Sequence, residues 1–156
     1  METEFDFRKG QLLAIFNKLN ASIGSREKKY FHLNTIENLI FHFTEIKTEN
    51  DKNWVYETLQ EYLKKCFDLL PSIDRSSSKN LFYSDINKLT NYYHDNLGFK
   101  ILINRSIVYF VYFIVLVACY IFFNIYVVIA VASLFVIQIF TIFKKYKEKK
   151  VYGLFW

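Results

Sequence analysis

The feature that most constrains this chain is a run of 38 residues, from Ser106 to Phe143, without a charged side chain. As one α-helix the run would be about 57 Å long, at about 1.5 Å per residue. The hydrocarbon core of a bilayer is about 30 Å thick, so about 20 residues are enough to cross it. The run is therefore nearly twice as long as one crossing needs, and it predicts an integral membrane protein with two spans.

Asn124 divides this run into residues 106–123 and 125–143, which are 18 and 19 residues long. Asn suits a turn because its side chain can bond the local backbone. Basic residues mark the cytoplasmic end of a span, and they occur on both sides of the run: Lys100 and Arg105 precede it, and five lysines follow it. A transmembrane hairpin that turns at Asn124, with both termini cytoplasmic, places both groups on one side. The alternative is one long, tilted or kinked helix, because no Gly or Pro assists so tight a turn.

The positive charge of the chain belongs to its membrane part. Residues 101–156 hold 6 Lys/Arg and 1 Glu, whereas residues 1–100 hold 14 Lys/Arg and 14 Asp/Glu. Basic residues beside a span set its topology and attract anionic lipid headgroups, so the net charge of +5 is a poor indicator of nucleic-acid binding. The first ten residues lack the apolar segment of a secretory signal, and we expect the front domain to stay in the cytoplasm.

The first hundred residues carry helical periodicity, with apolar residues at steps of three and four and no sustained strand-like alternation. The clearest segment begins near Asp51, a good N-cap, and stops at Pro71. Gly98 follows the last apolar stripe, where it suits a helix C-cap or a hinge before the first span. We therefore predict an all-α chain whose three parts are a cytoplasmic helical domain for sensing and oligomerisation (1–98), a transmembrane hairpin (99–143) and a basic aromatic cytoplasmic tail (144–156).

A search for catalytic or metal sites finds no recognisable pattern. His32, His42 and His94 have no Cys or carboxylate at metal-ligand spacing. The serines at 76–78 precede a lysine but have no glycine, which excludes a phosphate-cradling P-loop; we read this segment as a loop and a helix start with Ser78 as the N-cap. We expect no enzyme activity, no metal and no cofactor.

Two basic segments are candidates for binding an anionic ligand such as a nucleotide or oligonucleotide. They combine phosphate donors, a ring on which a base can stack, and helix N-terminal amides near the serines. The alternative is a solvated, charged edge. The candidate residues are Arg26, Lys28, Lys29 and Tyr30 in the first segment, and Arg75 and Lys79 in the second.

The predicted second span has one small and polar face. Ser133, Gln138 and Thr141 lie within about 80° of Ala130 around the helix axis, at about 100° per residue. Polar side chains in a membrane face another helix or water rather than lipid. The face is therefore either a helix–helix contact or the lining of a pore. A two-span subunit cannot enclose a channel alone, so the pore interpretation requires a homo-oligomer, of which a tetramer is one option.

The order of these parts, a helical segment over 1–97, a hairpin over 106–143 and a basic tail, resembles the small two-span effectors of bacterial antiphage systems. CBASS-type two-transmembrane effectors and the membrane channel of the Hailong system are examples. The resemblance is one of overall organisation. It implies an oligomeric channel in the bacterial inner membrane, gated by a nucleotide or oligonucleotide signal, with a nucleotidyltransferase encoded nearby as a candidate partner. Opening would depolarise the membrane and arrest growth.

Two other functions fit the same sequence. A membrane-anchored helical adaptor would use the hairpin only as an anchor, and a holin-like toxin would kill cells through the hairpin alone. The tail itself has two predicted positions, on the lipid headgroups or docked into the helical domain of a neighbouring subunit.

Overall fold

A computed structural model describes residues 4–102 and 105–154, of which 105–109 by backbone only. Residues 1–3, 103–104 and 155–156, which belong to the predicted helical domain, hairpin and tail, lie outside the described residues. The described chain is 76% helical, which confirms the all-α class and the helical bundle. Its elements in order are α1 (Glu4–Ser22), α2 (Leu33–Phe41), a 3-10 turn (Phe43–Glu45), α3 (Glu49–Asp68), α4 (Arg75–Leu81), a π-helical turn (Phe82–Ile86), α5 (Asn87–Leu97), β1 (Lys100–Ile101), α6 (Arg105–Phe122), α7 (Ile125–Lys147) and β2 (Val151–Tyr152).

The helical domain, α1 to α5, packs around α2. Two fully buried tyrosines tie the neighbouring elements to it: the Tyr93 hydroxyl on α5 donates to the Leu39 carbonyl over 2.9 Å, and the Tyr62 hydroxyl on α3 donates to the Phe31 carbonyl over 2.8 Å. A buried hydroxyl is costly without a partner. These two bonds therefore fix where α5 lies against α2 and where α3 lies against Phe31, two residues before α2 begins.

The helix starts differ from the predicted ones. Thr48, not Asp51, is the N-cap of α3, and its side chain accepts a hydrogen bond from the Asp51 amide. Asp74 caps α4 by accepting from two amides, so the expectation that Ser78 is the N-cap was wrong. Ser78 lies inside α4 and is buried, with its hydroxyl 2.6 Å from the Tyr30 carbonyl. Asp, Ser and Thr are all good caps, so the residue type alone could not choose among them.

The two apolar helices α6 and α7 pack against each other and are joined by residues 123–124. Asn124 is the N-cap of α7, and its side chain accepts from the Val127 amide over 3.2 Å. The ring of Tyr112 on α6 lies 4.0 Å from that of Phe135 on α7, centroid to centroid. Among the described residues, α7 is the one helix long and apolar enough to cross a membrane, with a mean hydropathy of 2.6, and the apolar part of α6, Phe110–Phe122, is shorter.

The chain segments at the base of these two helices pair with each other. β1 and β2 form a two-stranded parallel ladder in which Lys100 pairs with Val151 and Ile101 with Tyr152. The Lys100 amide donates to the Lys150 carbonyl over 3.0 Å, and the Leu102 amide donates to the Tyr152 carbonyl over 2.6 Å. The chain therefore leaves the helical domain for α6 and returns to it from α7 at the same place.

We expected the tail to start at residue 144 and to lie on headgroups or on a neighbouring subunit. Instead residues 144–147 continue α7, and β2 is buried against the helical domain of the same chain. The apolar Val151 and Tyr152 gain burial there, and lysines beside them reach carboxylates on or just beyond α2. Burial of apolar side chains is the dominant favourable contribution to such docking.

Candidate functional site at the base of the hairpin

The returning tail lies along α2 and runs in the opposite direction to it. Glu148 lies beside His42, Val151 beside Asn38 and Gly153 beside Thr35. We call the contact of residues 148–153 with Thr35, Asn38 and His42 the tail joint. Through it the end of α7 is attached directly to a central element of the helical domain.

The tail joint is held by side chains that bond the backbone of the tail. Asn38 Nδ2 donates to the Val151 carbonyl over 2.8 Å. Thr35 Oγ1 donates to the Gly153 carbonyl over 3.2 Å and accepts from the Gly153 amide over 3.3 Å. Thr35 is fully buried and Val151 is nearly so, with 1% of its surface exposed. Water cannot reach these buried groups while the tail is docked, so each bond stabilises the docked position of the tail.

His42 lies at the Glu148 end of the tail joint, with only 4% of its surface exposed. Its Nδ1 is 2.7 Å from Glu45 Oε1, and its Nε2 is 2.8 Å from the Glu148 carbonyl oxygen. Both of these oxygens are hydrogen-bond acceptors, so each ring nitrogen of His42 faces an acceptor.

Ion pairs surround the tail joint. Lys150 Nζ is 2.9 Å from Glu45 and Lys149 Nζ is 3.0 Å from Glu37. Burial acts to raise the pKa of Glu45, but hydrogen bonds from Lys150 and His42 and their positive charge outweigh it, and the pKa is lowered. Pairs this exposed contribute little individually. Their role is to select the register of the tail against α2.

The structure brings the two predicted basic segments together. Ser78 in α4 bonds the Tyr30 carbonyl and lies beside His32, so residues 26–30 and 75–79 are neighbours. Lys29 Nζ lies 5.0 Å from the centroid of the Tyr30 ring. The exposed members are Arg26, Lys29, Arg75 and Lys79, while Lys28 and Tyr30 are half-buried.

One part of the predicted anion site was wrong. We expected free helix N-terminal amides near the serines, but the amides of Ser76 and Ser77 donate to Asp74 over 2.7 and 2.9 Å. These bonds, above all those from Ser77, lower the pKa of Asp74 and keep it as an anion. Only the basic side chains remain for a ligand, without the help of the helix terminus.

The basic segments lie at the start of α2, and the tail joint begins at the other end of the helix. His32 precedes the helix and His42 follows it, which separates the two ends by about 15 Å at about 1.5 Å per residue. The tail starts at the His42 end and runs toward the His32 end. The direction of the tail therefore leads from the hairpin toward the basic segments.

The four residues predicted on one face of α7 have different surroundings. The Tyr112 hydroxyl of α6 donates to Gln138 Oε1, so Gln138 takes part in packing within the hairpin. Ser133 and Thr141 donate to the carbonyls four residues earlier in α7, over 2.9 Å each. Ala130 is exposed. The three polar side chains thus have hydrogen-bond partners within one chain. For Gln138 the partner lies on α6, so its bond is a helix–helix contact.

Gly98 has the predicted cap geometry. Its φ of 68° is left-handed, a conformation that favours glycine, and its amide donates to the Tyr93 carbonyl. The next residue, Phe99, is fully buried, with its amide 3.2 Å from the Tyr93 carbonyl and its own carbonyl 2.8 Å from His94 Nδ1. Both sides of Gly98 are therefore held in the domain, and the hinge role assigned to it stays a prediction.

Sequence reasoning missed the tail joint, although α2 contains a signal for it. Thr35, Asn38 and His42 are spaced by three and four residues, so they form a polar stripe beside the apolar one. A polar stripe that the fold buries needs bonding partners. What the sequence could not show is that the partner would be the backbone of residues 148–153.

The described residues contain no group of three or more His, Cys, Asp or Glu side chains that could hold a metal ion. Cys66 is buried in the core, and burial raises the pKa of its thiol to about 12.

Comparison with protein-family models, with curated proteins and with solved structures finds no match to this chain.

Proposed function

We propose that α6 and α7 insert into a bilayer as a two-span hairpin and that copies of the chain form an ion-conducting pore controlled by the helical domain. The observation that supports insertion into a membrane is the exposure of the apolar side chains of α7. None of the most apolar part of α7 is buried, and Tyr126, Phe140 and Leu134 expose 78%, 70% and 67% of their surface. An apolar helix in a soluble core would be buried, and a signal sequence would lie near the N-terminus. Lipid is the solvent that fits such a surface.

The base of the hairpin supports two crossings rather than one. α6 has 18 residues and α7 has 23, which is about 27 Å and about 35 Å of helix. Their outer ends meet at the ladder of β1 and β2, so both lie on the side of the helical domain. Lysines 144, 145 and 147 in the last turn of α7 favour the cytoplasm for that side. We place the chain in the inner membrane of a bacterium with both termini in the cytoplasm.

A pore requires several copies, because two helices enclose no channel. The outer surface of α7 has a shallow groove lined by small and branched side chains, Ile129, Ala132, Ser133, Val136 and Ile137. Small residues let helix backbones approach closely in a membrane. The groove is the part of the hairpin best suited to receive a helix from a neighbouring copy, and Ser133 supplies the polar group there.

Control by the helical domain would act through its two connections to the hairpin, β1 and the tail joint. A ligand that binds one arrangement of the domain more tightly shifts the population toward it by the difference in affinity. The basic side chains of residues 26–30 and 75–79 are the proposed binding site for a nucleotide or oligonucleotide signal. The tail joint would pass the change to the end of α7.

Ion flux through liposomes that contain the purified full-length protein tests this proposal. We expect flux that a nucleotide or short oligonucleotide switches on or off. Ser133→Leu, which fills the groove, should reduce flux, while Leu134→Val on the neighbouring exposed position should leave it unchanged. Inserted oligomers that never conduct under any ligand would contradict the pore.

A membrane adaptor is the second candidate, and the in-chain bonds of Gln138, Ser133 and Thr141 favour it, since a pure anchor needs all its polar groups satisfied. Replacement of residues 103–147 by an unrelated two-span hairpin separates the two functions. An adaptor keeps its cellular activity after the exchange, whereas a pore loses it completely.

A further inference from the structure

An exposed ring at the base of the hairpin is flanked by two ammonium groups from different elements. Phe41, the last residue of α2, is 50% exposed. Lys9 Nζ of α1 lies 5.2 Å from its ring centroid and donates to the Phe41 carbonyl over 2.6 Å, and Lys149 Nζ lies 5.0 Å from the same centroid. The ring does not belong to the apolar core, although three segments of the chain converge on it.

The tail joint places this ring beside the end of α7. Phe41 directly precedes His42, which bonds the carbonyl of Glu148, the residue that follows α7. A second ammonium–ring pair lies in the last turns of α7 itself, where Lys147 Nζ is 4.9 Å from the Phe143 ring centroid. We call Phe41, Lys9, Lys149, Phe143 and Lys147 the rim patch. Its residues lie on either side of the contact between His42 and Glu148, where the proposed span leaves the hydrocarbon.

We propose that the rim patch rests on the anionic headgroups of the bilayer that the hairpin enters and thereby orients the helical domain on the membrane surface. This inference rests on the proposed membrane insertion. Aromatic rings and lysines are the side chains suited to the headgroup layer, where the ring enters the interface and the ammonium groups stay hydrated.

Charge decides between a lipid surface and a second copy as the occupant. Among the described contacts, Lys9 and Lys147 have no carboxylate partner, while Lys149 is paired with Glu37. A second copy seated on Phe41 would have to take unpaired ammonium groups out of water, which is costly without opposing charges. A headgroup layer supplies phosphates and leaves the water in place.

The test uses full-length protein in vesicles of phosphatidylcholine, with or without phosphatidylglycerol, and tryptophan quenching by headgroup nitroxide lipids. Trp54 and Trp156 are replaced by Phe, and one reporter is introduced at a time. The reporters are Phe41→Trp in the rim patch, Phe113→Trp within α6 as a test of insertion with acyl-chain quenchers, and Tyr83→Trp as the matched control. Tyr83 is 62% exposed and follows Phe82, whose ring contacts His32 at the far end of α2.

We expect the fluorescence of Phe41→Trp to be quenched several-fold more strongly in the anionic vesicles than in phosphatidylcholine alone. The fluorescence of Tyr83→Trp should be quenched in neither kind of vesicle. Lys9→Gln combined with Lys149→Gln should remove most of that difference. A quenched Phe113→Trp with an unquenched Phe41→Trp overturns this inference and leaves the membrane hairpin standing. An unquenched Phe113→Trp overturns both. A Phe41→Trp shielded from acrylamide and from lipid quenchers alike would identify a second copy as the occupant and also overturn the inference.

Discussion

Thr35→Val is the sharpest test of the tail joint, because valine has nearly the shape of threonine and lacks only the hydroxyl. In the native chain that hydroxyl serves both the amide and the carbonyl of Gly153. The side chain of Thr35 is fully buried and Gly153 is buried with it, so the substitution leaves two backbone groups without water or a partner.

The expected size of the effect follows from those two groups. An unsatisfied buried donor or acceptor costs about 1–3 kcal/mol. We take about 2 kcal/mol for the pair, since the tail can relax slightly toward solvent. The free energy of opening the tail should therefore fall by about 2 kcal/mol, which raises its open population about 30-fold.

Hydrogen exchange measures that population directly, because the exchange rate of the tail amides follows the opening equilibrium. The full-length protein in lipid is compared with its variant over residues 148–154. Thr90→Val is the matched control: Thr90 is also fully buried, but its hydroxyl donates only to the Asn87 carbonyl of its own helix, over 3.0 Å. Tail exchange that does not change in Thr35→Val, or that rises equally in Thr90→Val, would refute the tail joint.

Three further predictions concern the helical domain. Gly98→Ala should destabilise it by about 1–2 kcal/mol in chemical denaturation because φ is 68° there, whereas Gly10→Ala in α1 should stabilise it by about 0.5–1 kcal/mol; equal effects would contradict the assigned cap. Burial lowers the pKa of His32, outweighing its bond to Ser78, so the unfolded state binds the proton more tightly and stability should fall as the pH drops below about 6.5. His32→Asn, which tolerates the left-handed φ of 49°, should flatten that pH dependence in thermal melts. Cys66 should resist alkylation at pH 8 in the native protein, since burial raises its pKa to about 12; rapid labelling would contradict its place in the core.

Much of the helical domain could be predicted from apolar spacing, because each stripe is local to one helix. The break between the two apolar helices could be predicted as well, since Asn124 is the one strong turn former between them and caps α7 in the structure. The exact helix starts could not. Asp51 and Thr48 are both good caps, and the choice depends on which backbone amides the folded chain leaves free.

The tail joint could not be predicted from the sequence, for a different reason. Asn38 and Val151 are 113 residues apart, and the bond between them involves the backbone of the tail, whose sequence carries no mark of it. For the basic segments, one part could be predicted from the sequence and another could not. Their charged side chains were found from the sequence, but their proximity depends on Ser78 bonding Tyr30, and the occupied amides of α4 depend on Asp74.

The α6–α7 hairpin is the central claim, and the topology of single cysteines tests it most directly. In full-length protein with Cys119→Ala, a membrane-impermeant maleimide is applied from one side of oriented vesicles to Ser25→Cys in the helical domain, Lys144→Cys at the end of α7 and Asn124→Cys between the helices. A two-span hairpin predicts that positions 25 and 144 label from the same side and position 124 only from the other. Labelling of positions 25 and 144 from opposite sides, or of all three from one side, would contradict the account.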